Sequence, residues 1–176
     1  MDKKLVSTAK PKVAGAVFVA PLGTTLPTDA TTTLDTAFKN LGYVSEEGFV
    51  ITTSTSSEPI KEWGGTLVDE SQTEKTESAK LTLIESLNPD VLKFVFGESN
   101  VTANENLITV NATGEELPAC VFVVDMLMKN NLAKRIVIDG AKPRHNGDTT
   151  YIPNKAVSFN MEIGMPLFHK EYIALK

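Results

Sequence analysis

The stretch Pro118-Ala119-Cys120-Val121-Phe122-Val123-Val124-Asp125-Met126-Leu127-Met128, then Lys129-Asn130-Asn131, then Leu132-Ala133-Lys134-Arg135-Ile136-Val137-Ile138, sets the fold class. Its first run is apolar at both parities, and its valines are stiff at χ1 and suit a pleated backbone better than a helix. A strand apolar on both sides is one covered on both faces. Lys129-Asn130-Asn131 is a polar interruption of the kind that turns a chain, so the two runs predict an antiparallel pair. The second run begins polar at Lys134-Arg135 and becomes apolar.

Further strands are expected on either side. Downstream of the turn-rich Pro143-Arg144-His145-Asn146-Gly147-Asp148, the segment Lys155 to Ile163 alternates, with Val157, Phe159, Met161 and Ile163 on one side. Phe168 to Leu175 adds a terminal strand. Upstream, residues 1–12 read as a polar arm and Val13 to Ala20 as a first strand, bounded by Pro21 and Gly23. Thr24 to Thr33 is a loop, and a short helical piece is allowed around Leu34 to Asn40. Gly42-Tyr43-Val44, Gly48 to Thr55 and Glu105 to Asn111 read as short extended segments. One helix is well marked: Asn88 as N-cap, Pro89 at the first helical position, Asp90 in the first turn and Gly97 past the end. Val91, Leu92, Phe94 and Val95 give it an apolar side that must pack on a sheet. The expectation is a single domain over residues 13–176, mainly β, a two-sheet sandwich or barrel-like sheet with one short flanking α-helix. No internal repeat is present.

Composition removes several functional classes. The chain has 176 residues and a formal net charge of -5, and its sequence pI near 5.1 gives phosphate no general attraction. Cys120 is the only cysteine, so no intrachain disulfide or cysteine-based zinc set is expected, and its apolar setting reads as a buried inert thiol. No stretch approaches the length of a membrane span. Lys3-Lys4 ahead of the apolar Val13 to Leu22 imitates a secretory signal, but Pro21 interrupts it and no good cleavage site follows, so no cleaved signal is expected. His145, on the surface in its turn, and His169 belong to no spaced ligand set, and no phosphate loop or dinucleotide fingerprint is present. Gly64-Gly65 after Trp63 reads as a tight turn or bulge. The reading is therefore of a protein that is not an enzyme, with no catalytic, cofactor-binding or metal-binding residues and no cofactor.

Charge placement says more. From Ser45 to Glu77 eight acids stand against Lys61 and Lys75, a balance of -6; the rest of the chain has fourteen acids and fifteen bases, a balance of +1. Residues 48–80 thus read as an acidic extended hairpin, and between Ile60 and Lys80 its large apolar residues are only Ile60, Trp63, Leu67 and Val68. Such a ribbon has no core of its own, and its edge invites pairing with another chain. It is either a solvated hairpin with an ordinary acidic face or a ribbon that joins a shared sheet in a homo-oligomer. Strict alternation puts Asp69 and Glu77 on one face, with Glu70 and Glu74 on the other.

Four features resemble the major tail tube proteins of long, non-contractile-tailed bacteriophages. They are the strand Val13-Ala14-Gly15-Ala16-Val17-Phe18-Val19-Ala20 with its Thr/Pro loop, Leu41-Gly42-Tyr43-Val44-Ser45-Glu46-Glu47-Gly48-Phe49, Ile60-Lys61-Glu62-Trp63-Gly64-Gly65 leading into Val68, and Ala79-Lys80-Leu81-Thr82-Leu83-Ile84-Glu85-Ser86-Leu87-Asn88-Pro89-Asp90-Val91-Leu92-Lys93. The resemblance implies two packed sheets and a flanking helix, with stacked hexameric rings whose closed inner barrel lets phage DNA pass without specific binding. The implied partners are further copies of the chain and the tape measure, tail terminator and distal tail proteins. The implied setting is the virion tail, synthesised and assembled in the bacterial host cytoplasm, with no membrane contact. Carried onto this sequence, the inner sheet includes parts of Gly48 to Ser56 and Leu67 to Glu77. Glu58, Asp69, Glu70, Glu74 and Glu77 become candidates for the lumen, and Trp63, Gly64 and Gly65 for an inter-subunit contact. The reaching loop is either Pro21 to Leu34 or the turn around Trp63, and no extra C-terminal immunoglobulin-like module is expected. Two other readings share parts of this logic: a tube-forming subunit of a bacterial injection apparatus, and a monomeric β-sandwich binding or adhesin module that uses Trp63 with Tyr43 or Tyr151.

Overall fold

The computed structural model describes residues 5–12 and 15–175. Residues 1–4 of the expected arm, and Val13 and Ala14 of the expected first strand, lie outside them. The described residues are mainly β, in strands β1 (Ala9–Pro11), β2 (Val17–Pro21), β3 (Lys39–Asn40), β4 (Val44–Lys61), β5 (Leu67–Leu83), β6 (Val101–Ala103), β7 (Ile108–Val110), β8 (Cys120–Met128), β9 (Ala133–His145), β10 (Phe159–Gly164) and β11 (Lys170–Ile173), with one α-helix, α1 (Pro89–Phe96).

The apolar pair read from Pro118 to Ile138 is the centre of the molecule. β8 and β9 run antiparallel with Val124 opposite Ile136 and Phe122 opposite Ile138. They are joined by a turn in which Asn130 and Asn131 take φ of 64° and 58°, a backbone that asparagine tolerates better than most residues. β8 is covered on both faces, as its composition requires. Phe122 and Val124 enter the main core. Val121 and Val123 enter a second cluster with Val137, beneath Leu26, Leu34 and Phe38 of the loop after β2. Cys120 is buried and donates a long bond to the Ala141 carbonyl, and burial pushes its thiol up to about 12.

The main sheet has the order β3-β2-β8-β9-β10-β5-β4, with β1 also on β8 and β11 also on β9; β6 and β7 form a separate pair. β9 serves two arms of this sheet. Ala133 to Ala141 pair with β8, and Lys142 to His145 pair with β10. Gly140, with φ of +66°, sits at the changeover. Phe122 and Ile138 from one arm meet Leu81, Met161 and Ile163 from the other, and Val91, Leu92, Phe94 and Val95 of α1 join the same core. The result is a sandwich of two arms sharing β9, and among the described residues no sheet closes into a barrel.

The helix is the one its end signals describe. Asn88 Oδ1 accepts from the Asp90 backbone N–H at 3.0 Å, and the N–H of Gly97, at φ +95°, donates to the Lys93 carbonyl at 2.9 Å. Other boundaries differ from expectation. Leu34 to Asn40 holds no helix: Asp35 caps a turn by accepting from the Ala37 N–H at 2.9 Å, and Lys39–Asn40 pair with β2 instead. Among the described residues the strand expected from Val13 begins at Val17, and ahead of it the Gly15 N–H donates to the Lys12 carbonyl. Lys155 to Ser158 stay outside β10, although Phe159, Met161 and Ile163 are buried on the side their alternation gives. His145 ends β9 rather than sitting in the turn, exposed but with its ring against Phe96 and Phe159. The segments 42–44 and 48–55, read as two short pieces, belong largely to one strand of 18 residues, Val44–Lys61.

Candidate assembly surface

β4 and β5 continue far beyond the body that they help to form. Every residue from Thr52 to Thr76 is exposed, although pairing runs on from Thr52 opposite Ser78 to Lys61 opposite Leu67. At about 3.3 Å per residue this ribbon projects roughly 30 Å. Among the described residues no buried layer covers either of its faces. The ribbon is rich in Ser and Thr, with branched Thr side chains suited to extended backbone and polar groups suited to water. β4 ends the strand order, so among the described residues no further strand pairs with its outer edge.

The tip is a built turn. Glu62 N–H donates to the Thr66 carbonyl at 3.0 Å and Gly65 N–H to the Glu62 carbonyl at 2.8 Å. Gly65 has φ of +88°, which a side chain would resist. Around it Ile60, Leu67 and Val68 are each more than half exposed, and Trp63 is wholly exposed. Tyr43 lies before β4 and Trp63 after it, so the length of that strand separates them and no aromatic face joins the two.

Pairing also decides which acids share a face, and it corrects the reading by alternation. Residues directly opposite one another lie on the same face of a sheet. Glu74 is opposite Ser56, whereas Gln72 is opposite Ser57, because a bulge takes up Thr73. Asp69 is opposite Ile60, and Glu77 is opposite Thr53. Glu58, Asp69 and Glu74 therefore share the face that continues the solvent side of the sheet, while Glu70 and Glu77 continue the core side. Consistently, the Ser57 hydroxyl donates to Glu70, and the Thr53 hydroxyl donates to Glu77 Oε1 at 3.2 Å.

Glu77 is also tied down at the root of the ribbon. Its Oε2 accepts from His169 Nδ1 at 2.7 Å, which fixes the segment before β11 against β5. Lys75 sits 4.9 Å from the centre of the Phe168 ring beside it. Sequence reading missed this anchor, since its members are 92 residues apart. It missed a second feature as well. Arg144 and Lys80 flank Glu162 across three strands, and Lys142 follows one row outward. These three cations share the solvent face with Glu58, Asp69 and Glu74, so that face is basic at its root and acidic along the ribbon.

Among the described residues no group of three His, Cys, Asp or Glu is placed to hold a metal ion. What the chain offers instead is an extended edge, an apolar tip and a charged ribbon with no layer of its own. An open edge and an uncovered ribbon of this kind suit pairing with further strands. Residues 8–166 match the model of the phage tail tube proteins, and the chain belongs to that family. No curated protein matches it. It is a structural, tube-forming protein of the virion tail and not an enzyme.

Proposed function

We propose that six copies close into a ring and that rings stack into the hollow tail of a long, non-contractile-tailed phage. Each copy contributes four strands to the inner wall: the Lys142–His145 end of β9, then β10, β5 and β4. The open edge of β4 in one copy pairs with the flank of Lys142–His145 in the next, which β8 leaves uncovered after Cys120. Ring closure removes both edges at once. The solvent face of these strands then lines the lumen. Glu58, Asp69 and Glu74 face the DNA, while Glu70 and Glu77 turn toward the outer layer or a seam. A lining that repels phosphate along most of its length lets DNA slide. Trp63, Gly64 and Gly65 reach a neighbouring copy. The chain assembles in the host cytoplasm around the tape measure protein, between the distal tail and terminator proteins.

The observation that carries this reading is a ribbon exposed on both faces that prolongs a sheet with an open edge, in a chain of the tail tube family. Electron microscopy of concentrated protein and of particles tests it. Six-fold rings or hollow tubes are the expected result. Protein that stays monomeric at every concentration, and is missing from purified tails, would refute it.

A further inference from the structure

A second apolar feature borders the inner-wall strands at Pro143 and is not used by the pairing proposed above. Beside α1, where β2 ends and β8 begins, lies a cleft of about 580 Å³ walled by Pro21, Leu22, Phe94, Leu117, Pro118 and Pro143. Its charged rim satisfies itself: Lys39 pairs with Asp90 at 3.2 Å, and Lys93 with Glu98 at 3.9 Å. A neutral rim, and proline walls without N–H donors, suit an apolar guest rather than an ion. Leu22 stands more than half exposed at this cleft.

We propose that the cleft receives the ribbon tip of a second copy, with Trp63 as the inserted side chain. The tip carries four large apolar residues that its own chain leaves uncovered: Ile60, Trp63, Leu67 and Val68. None of them lines the cleft. Lys61 and Glu62 beside Trp63 carry one charge of each sign, which matches the balanced rim. An indole buries about 150–250 Å², so one tip gives far less than the roughly 800 Å² per partner of a stable pair. The contact is therefore weak alone and gains strength only when repeated around a ring. Tip and cleft are different patches, so the contact is heterologous and passes from copy to copy instead of pairing two copies off. This inference rests on the tube reading and names one contact that joins copies within it.

Trp63 is the only tryptophan, so its fluorescence reports the contact directly. Emission from dilute monomer should be that of indole in water and should shift to the blue as tubes form. Leu22→Glu and Ala37→Glu change exposed positions beside the cleft. Both variants should fold as monomers, by circular dichroism, yet lose the blue shift and the tubes. In a Cys120→Ala background, a short bis-maleimide should link Trp63→Cys to Leu22→Cys between copies. Tubes whose Trp63 remains water-exposed overturn the proposal and leave the tube reading standing. So do blue-shifted tubes that survive both cleft variants without a cross-link, or tubes whose cleft is filled by Leu5 and Val6 of the arm. Protein that never assembles overturns both.

Discussion

Asp125 interrupts the most apolar run of the chain, and a buried carboxylate must have a partner. That partner is Arg135, ten residues on and directly across the β8–β9 pair: Nε donates to Oδ1 at 2.6 Å and Nη2 to Oδ2 at 2.8 Å. The remaining donor, Nη1, bonds the carbonyls of Asp29 at 3.1 Å and Thr32 at 2.8 Å, which clamps the loop after β2 over the second core cluster. Arg135→Met should destabilise the monomer by up to about 3–5 kcal/mol in urea unfolding, since it leaves the buried Asp125 with only the half-exposed Lys12, at 3.8 Å, as counter-charge; replacing both residues by apolar ones should recover most of that loss. Asp29 acts within the same loop. The Thr32 hydroxyl, the Thr32 and Thr31 N–H groups and the Thr31 hydroxyl donate to its carboxylate and hold its pKa far below the ordinary value. A depressed folded pKa means the stabilisation is full above the unfolded value of about 4 and is lost as pH falls below it. Hydrogen exchange of the loop amides should therefore accelerate as pH drops through that range, after correction for the intrinsic rate, and Asp29→Ala should remove this dependence.

Among the elements, α1 is a packing device and the β4–β5 ribbon is an assembly device, and mutation should separate them. Leu92 is 6% exposed in the main core. Leu92→Ala should cost about 2–5 kcal/mol, read by denaturant unfolding of monomer. A cost below about 0.5 kcal/mol would be that of a surface residue and would contradict its place in the core. The outer ribbon buries nothing, so replacing residues 57–73 by Asn-Gly, a pair suited to a two-residue hairpin turn between the paired Ser56 and Glu74, should leave monomer stability within about 0.5 kcal/mol. The same variant should form no tubes by electron microscopy. A large loss of stability would mean that the ribbon contributes to the fold of the single chain.

For the whole molecule the question is how charge is arranged along one sheet face. Lys80, Lys142 and Arg144 stand near Glu162 at the root, and Glu58, Asp69 and Glu74 stand outward along the ribbon. Reversing Glu58, Asp69 and Glu74 to Lys should hardly change monomer folding, because exposed charges contribute little stability. In particles built with that subunit, DNA release should slow as the wall begins to bind phosphate. Glu70→Lys, on the opposite face, should not slow it. Well-formed tails that eject at the normal rate after the triple reversal would refute the electrostatic part of the proposed function. Failure of that variant to assemble would move the three acids to subunit seams, where like charges repel strongly.

Where short-range chemistry decides, the sequence alone was enough. Asn88, Pro89 and Gly97 mark the helix because capping and φ constraints act within a few residues. The β8 run shows that both its faces are covered because its side chains have no polar parity. The same holds for the solitary buried thiol and for the acidic surplus between Ser45 and Glu77. Tertiary structure decided what depends on partners far along the chain. Pairing with β2 made Lys39–Asn40 a strand and left no helix there. The Ser/Thr ribbon has no hydrophobic alternation to set its register, so only pairing with β4 revealed the bulge at Thr73 and with it which acids share a face. Arg135 found Asp125, and His169 found Glu77, only once strands distant in sequence lay side by side, because a buried charge in a linear sequence announces a need but not the residue that meets it.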